Sequence, residues 1–143
     1  MKEGVSLTQS YVTPKCSPSR AALMTGMYPW RIGMQRGAIE RFQPDGLNTS
    51  LKLLPEYLQE AGYQTHLVGK WHLGYCAPEY LPTRRGFKSH FGQWNHAVNY
   101  YTRMAEFIDW PDTPRDKWGY DWHQNEEISY EGGQEFAPDL MSR

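Results

Sequence analysis

Apolar and polar positions keep a readable rhythm over the first half of the chain and lose it beyond Pro78. Val5-Ser6-Leu7-Thr8 and Tyr11-Val12-Thr13 are β-branched and aromatic, which predicts extended segments. A helix is predicted to follow at once. Ser17 offers a capping hydroxyl, Pro18 suits the first helical position because its missing N–H costs nothing there, and Arg20 to Thr25 run to a stop at Gly26. Cys16 then lies just ahead of a helix N-terminus. A second helix is predicted over residues 52–61, where Leu54, Leu58 and Ala61 recur at helical spacing, Pro55 falls in the first turn and Gly62 supplies a left-handed exit. Residues 63–68 read as a buried strand, and Gly69-Lys70-Trp71-His72-Leu73-Gly74 as the loop at its carboxyl end. A helix followed by a strand predicts an α/β layer. Ligands in such layers gather beyond the carboxyl ends of the strands, which makes the loop carrying Lys70 and His72 a candidate site. Residues 78–133, rich in Pro, Gly, Asn, Asp and Trp, are predicted to be loop-rich with short elements, with a further helix starting within 134–141.

A length of 143 residues fits one domain, because a chain of that size buries roughly 70% of the surface its unfolded form exposes. Texture divides it into a compact α/β part, residues 4–76, and a loop-rich part, residues 78–143. Net charge is −1 with both signs interspersed, so no field gathers nucleic acid or an anionic membrane. Aromatics make up 15% of the chain while mean hydropathy is −0.76, a combination that predicts many aromatic side chains in loops. No apolar run is long enough to span a bilayer, and Met1 is not followed by a signal-peptide core. Cys16 and Cys76 allow one disulfide or none. Asn48-Thr49-Ser50 is a glycosylation acceptor pattern in a polar stretch.

Two short stretches carry candidate chemistry. In Cys16-Ser17-Pro18-Ser19-Arg20 a thiol precedes a helix start with a guanidinium about one turn inside it. Amide donors there favour an anion by roughly 0.3–1 kcal/mol. A buried structural cysteine is the alternative, since burial is the common fate of free Cys. Lys70 and His72 straddle Trp71 in a Gly-bounded loop, so an ammonium and an imidazole can meet at one sulfate or phosphate. The alternative is a turn with a solvated Lys and a His packed on Trp71. His66, His90, His96 and His123 fit no catalytic pattern and read as structural or surface residues, and Asp109, Asp112, Asp116 and Asp121 as solvated carboxylates.

Cys16-Ser17-Pro18-Ser19-Arg20-Ala21-Ala22-Leu23-Met24-Thr25-Gly26 closely resembles the sulfatase consensus, and Gly69-Lys70-Trp71-His72-Leu73-Gly74 resembles that family's second motif at the expected separation. Glu60-Ala61-Gly62-Tyr63-Gln64-Thr65 is similar to the family's connecting segment. Leu81-Pro82-Thr83-Arg84-Arg85-Gly86-Phe87 and Asn99-Tyr100-Tyr101 look like its arylsulfatase B branch. The resemblance covers most of the chain and implies a partial alkaline-phosphatase-like α/β domain, with a mixed central sheet flanked by helices and incomplete in this chain. It further implies that a formylglycine-generating enzyme oxidises Cys16 to formylglycine during secretion, with Pro18 and Arg20 completing the maturation pattern. The hydrated aldehyde would then cleave sulfate esters in two covalent steps. By the same resemblance Arg20 stabilises the diol, Lys70 holds it and a substrate sulfate oxygen, and His72 hydrogen-bonds the diol.

Family members also hold calcium through the formylglycine together with two consecutive Asp and an Asp-Asn pair. Neither pair occurs in this sequence. Loss of one preorganised charge-stabilising donor costs roughly 3–4 kcal/mol and loss of a divalent cation should cost more, so negligible turnover is expected of the isolated 143 residues. The resemblance implies a sulfated small molecule or glycosaminoglycan as substrate and a lysosomal or secreted protein. Two rival readings are a phosphatase or phosphonate hydrolase of the same superfamily, which prefers a Thr or Ser nucleophile, and a non-catalytic glycan-binding piece. The latter would use Trp94, Tyr100, Tyr101, Trp110, Trp118, Tyr120 and Trp122 as stacking surfaces.

Overall fold

A computed structural model describes residues 4–41, 43–106 and 118–142. Helix α1, Cys16–Thr25, opens behind Lys15, whose extended backbone makes no side-chain cap, and closes at Gly26, where φ is 69° and the N–H reaches Ala22 O at 2.8 Å. Two expectations are corrected here. Ser17 lies inside the first turn rather than capping it, and Pro18 is the third residue rather than the first, which costs nothing because N–H groups throughout the first turn lack helical acceptors. Helix α2, Leu54–Glu60, is shorter at both ends than the 52–61 predicted. The Glu56 carboxylate accepts the Leu53 N–H at 2.7 Å, Pro55 sits in the first turn, and Gly62 turns the chain out with φ 88°. Because α2 lies on the surface, Leu54 is 43% exposed and Leu53, just before the helix, is the leucine that reaches the core.

Strand β1, His66–Val68, runs parallel to β2, Ser89–Gly92. The sheet continues antiparallel through β5, His123–Gln124, and β6, Glu127–Ile128, giving the order β1-β2-β5-β6. The predicted mixed sheet is therefore present. A separate antiparallel ladder joins β3, Met104–Glu106, to β4, Trp118–Tyr120. The strand predicted over 63–68 as buried is a three-residue edge strand with His66 and Val68 exposed and only Leu67 turned towards the core. Residues 5–8 and 11–13, predicted to be extended, carry no strand pairing among the described residues, and all but the half-buried Thr13 are exposed.

In the second half the short elements expected among the loops are mostly strands. Five of the strands lie there, together with single 3-10 turns at Pro78–Tyr80 and Pro82–Arg84 and helix α3, Ala137–Met141. The strands are two to four residues long, too short to show a period. Ala21, Leu47, Leu53, Trp71 and Leu73 form one buried cluster, under α1 and α2 and within the part read as compact. A second cluster of Trp122, Ala137 and Leu140 seats α3 against the sheet. Among the described residues no helix is long and apolar enough to cross a membrane.

Candidate active site

The Gly69–Gly74 loop is held as a rail beside the end of β2. Gly69 N donates to Phe91 O at 2.8 Å, Trp71 N to Gln93 O at 2.9 Å and His72 N to Trp94 O at 2.9 Å. Trp71 is buried and its Nε1–H reaches Gly74 O and Tyr80 O at 3.1 and 2.9 Å, so the indole anchors the loop while its neighbours are left to do chemistry. His72 takes a left-handed backbone with φ 58°, a conformation that non-glycine residues rarely hold and that functional sites often retain.

Across from this rail, α1 presents its first residue. Cys16 is exposed with a free thiol, so the buried-cysteine alternative does not describe it. The Lys70 ammonium lies close enough to the Cys16 sulfur to interact with it electrostatically, and Arg20 Nη1 donates to Lys70 O at 2.5 Å, tying the helix to the rail. Partial burial lowers the Arg20 and Lys70 pKa values, and the nearby Cys16 sulfur opposes the shift in both. His72 is almost wholly buried, and its pKa falls to about 3, chiefly through burial; the nearby Lys70, His96 and Arg20 act in the same direction. Its Nε2–H donates to Ile39 O at 2.7 Å, while Nδ1 has no hydrogen-bond partner among the described residues. All four residues predicted for the site, Cys16, Arg20, Lys70 and His72, are thus brought together from two chain segments about 50 residues apart.

Several other expectations fare differently. Asp121, read as solvated, is buried: its two carboxylate oxygens accept Trp94 N at 2.9 Å and Asn95 N at 2.8 Å, so the carboxylate is held by the two amide donors of the turn at 94–95. Asp109, Asp112, Asp116 and Trp110 lie outside the described residues. His96, read as structural or surface, stacks on His72 with ring centroids 4.6 Å apart, and Ile39 supplies the acceptor that orients His72. No periodicity marks either contact. Trp94 and Trp122, offered as glycan platforms, are engaged internally, Trp94 on His123 and Trp122 against Phe91 and the Arg103 guanidinium. Asn48 is exposed in an Asx turn, its Oδ1 accepting from the Ser50 N–H and hydroxyl, each at 2.9 Å. Cys76 carries a free, exposed thiol.

The described residues do not by themselves fit a calcium ion. Among them no three His, Cys, Asp or Glu side chains gather at one point, the charged neighbours of Cys16 are the cations Arg20 and Lys70, and Asp121 is occupied by amides. A hard cation needs several oxygen donors.

The fold and this cluster define a site in an α/β layer that offers cationic donors to an anion at the carboxyl end of a parallel strand pair. The family profile described as Sulfatase matches residues 1–139, and the chain belongs to the Sulfatase family. Arylsulfatase J of Mus musculus is 40% identical over 129 residues, covering 90% of this chain and 21% of that protein. N-acetylgalactosamine-6-sulfatase of Canis lupus familiaris is 39% identical over 121 residues, covering 76% of this chain and 23% of that protein. The PsFucS1 sulfatase from Pseudoalteromonas sp. superposes with a TM-score of 0.53 at 35% identity, over 68% of this chain and 19% of that one. Ps i-CgsB, whose structure has been solved in complex with k-i-k-neocarrahexaose, superposes with a TM-score of 0.57 at 40% identity, over 61% of this chain and 19% of that one. The chain spans about a fifth of the length of the curated relatives it matches. Its fold class is the alkaline-phosphatase-like one of the sulfatases.

These relatives do not support the narrower placement in the arylsulfatase B branch. The residues that suggested it act in packing: Arg85 donates to Leu47 O and Leu51 O, both at 2.9 Å, and Tyr100 and Tyr101 lie against Phe136. Such roles carry no information about a substrate.

Proposed function

We propose that this stretch supplies the nucleophile side of a sulfuric ester hydrolase acting on sulfated glycans, with position 16 matured to formylglycine by a formylglycine-generating enzyme in the secretory route to a lysosome or the cell exterior. The observation that carries the reading is the meeting of Cys16, Lys70 and Arg20 at one point beside a neutral His72. Maturation replaces sulfur by oxygen at Cβ: water enters, sulfide leaves, and a two-electron oxidant used by the maturing enzyme accepts the electrons. As formylglycine, position 16 would supply a hydrated aldehyde, one hydroxyl of which attacks the sulfate sulfur and displaces the substrate alcohol, which leaves with a proton; the other hydroxyl then loses its proton and expels sulfate as the carbonyl re-forms. The surroundings suit such a group, since Cys16 is exposed and the Lys70 ammonium lies beside it.

The chain's own residues then have distinct tasks. Lys70 donates to the group at position 16 and, from the same ammonium, to a sulfate oxygen. Arg20 holds the Lys70 carbonyl and adds positive charge where negative charge grows. His72, neutral and with an unpartnered Nδ1, can accept a proton from a hydroxyl. The relatives support sulfated carbohydrate as the substrate class, one being named an N-acetylgalactosamine-6-sulfatase and another having been solved with a carrahexaose. Narrower placement among the 4-sulfatases would need residues that read the sugar, and the site as described contains none. Hydrolysis is proposed for the protein to which this stretch belongs. For the isolated 143 residues it is expected to be negligible, because the described residues gather no oxygen cage for a divalent cation.

The test is mass spectrometry of the tryptic peptide Cys16–Arg20 after expression through a secretory pathway. An aldehyde at position 16 supports the reading. An intact thiol under conditions that mature a control sulfatase removes it.

A further inference from the structure

Ser17 is fully buried in the first turn of α1, and its hydroxyl leaves the helix to do something else. Its Oγ accepts the Ile39 N–H at 3.0 Å, and the carbonyl of the same Ile39 accepts Nε2–H of His72 at 2.7 Å. One buried residue therefore links the neighbour of the nucleophile to the imidazole. A carbonyl can only accept, so Nε2 must carry the ring proton, and in a neutral ring Nδ1 is left as a bare acceptor. The same segment also supports the other side of the ring. Arg41 donates to His96 O at 3.4 Å and Ala97 O at 3.3 Å, and His96 stacks on His72 with planes inclined by 27°.

We infer that Ser17 is a positioning residue which, through the backbone of Ile39, fixes the tautomer of His72 and so presents Nδ1 as the proton acceptor of the site. Its use in turnover rests on the sulfate-ester reading; the tautomer does not. The physical reason is geometric. Residues 38–40 are in irregular chain with no ladder to define the direction of the Ile39 carbonyl; the amide of the carbonyl's own peptide, Glu40 N–H, donates to Gln43 Oε1 at 2.8 Å, and the contact with Ser17 holds the preceding peptide, so that Ile39 is fixed on both sides of its Cα. Without the Ser17 contact the φ and ψ of Ile39 can relax and carry the carbonyl off the ring nitrogen, and the buried ring can trade its proton between nitrogens.

The experiment is a long-range proton–nitrogen correlation spectrum of the imidazoles in the 15N-labelled chain, for the wild type, Ser17→Ala and Ser17→Thr. Expected are a protonated Nε2 and a bare Nδ1 for His72 in the wild type, averaged nitrogen shifts of two exchanging tautomers in Ser17→Ala, and recovery of the wild-type pattern in Ser17→Thr. A wild-type ring protonated on Nδ1, or a folded Ser17→Ala with unchanged shifts, overturns the inference. Should Ser17→Ala fail to fold, the wild type decides. An Nε2–H ring with an Ile39 amide that exchanges at least about 100-fold more slowly than exposed amides supports it, and either feature missing overturns it. None of these readouts uses turnover. A thiol that stays unmodified removes the sulfatase reading and leaves the tautomer result intact, whereas an aldehyde at position 16 beside a ring insensitive to Ser17 removes this inference alone.

Discussion

At the scale of single residues, His72 decides how the site responds to pH. Its pKa falls to about 3 in the folded chain, whereas an unfolded histidine titrates near 6.5. As pH drops from about 6.5 towards 3 the unfolded state takes up this proton first, so stability from His72 is complete above that window and is lost within it, by up to about 1.4 kcal/mol per pH unit. An imidazole NMR titration should show His72 unprotonated down to about pH 4, and His72→Gln should flatten the fall in unfolding free energy between pH 6 and 4 measured in urea. A ring that titrates near 6.5 would contradict both. In a turnover-competent protein containing this stretch, Arg20→Ala or Lys70→Ala should lower kcat by about 10²–10³ for an aryl sulfate, as lost charge-stabilising donors do; rates kept within about twofold would take either residue out of the mechanism. These residues were legible in the sequence because Cys-x-Pro-x-Arg and Lys-x-His are local patterns. The acceptor of His72 was not, since Ile39 acts through a backbone carbonyl 33 residues away and any side chain leaves that carbonyl in place.

Individual elements were legible where one position forces the backbone and illegible where the fold supplies the partner. Gly26 and Gly62 marked the ends of α1 and α2, but the cap expected of Ser17 went to a different peptide because Ile39 competed for its hydroxyl. The short elements of the second half were expected without type or place because two to four residues cannot display alternation, and the buried role of Asp121 escaped because nothing local distinguishes it from a surface carboxylate. Two substitutions probe how these elements hold the rail. Gly92 at the end of β2 has φ 142°, and a Cβ there would lie 2.4 Å from Gly69 O. Gly92→Ala should push the Lys70 loop away from the sheet and cost about 2–4 kcal/mol, read as a lower urea midpoint with an unchanged slope. Asp121→Ala strands two amides in the turn that carries Trp94 and should cost about 2–4 kcal/mol, with Asp121→Asn falling between it and the wild type because one acceptor oxygen survives. Equal stability of all three Asp121 forms would show that water replaces the carboxylate.

For the molecule as a whole, the sequence predicted the fold class correctly, yet it assigned β1 to a buried position. Among the described residues β1 pairs on one side only, with β2, and Val68 at its end is 55% exposed. Leu7, Tyr11 and Val12 add exposures of 74%, 86% and 81% in unpaired chain. A strand with free N–H and C=O groups beside apolar side chains is a template for another chain, and a charge on the edge is the usual obstacle to such pairing. The molecule should therefore associate with rising concentration through the β1 edge. Val68→Lys should reduce that association in sedimentation velocity, while changing unfolding free energy by no more than about 0.5 kcal/mol, since Val68 is a surface position. The same substitution tests which surface is responsible. If Val68→Lys leaves association untouched and Leu7→Lys with Val12→Lys abolishes it, contact runs through the unpaired segment 5–12, and the open edge of β1 is protected by the short length of its three-residue ladder.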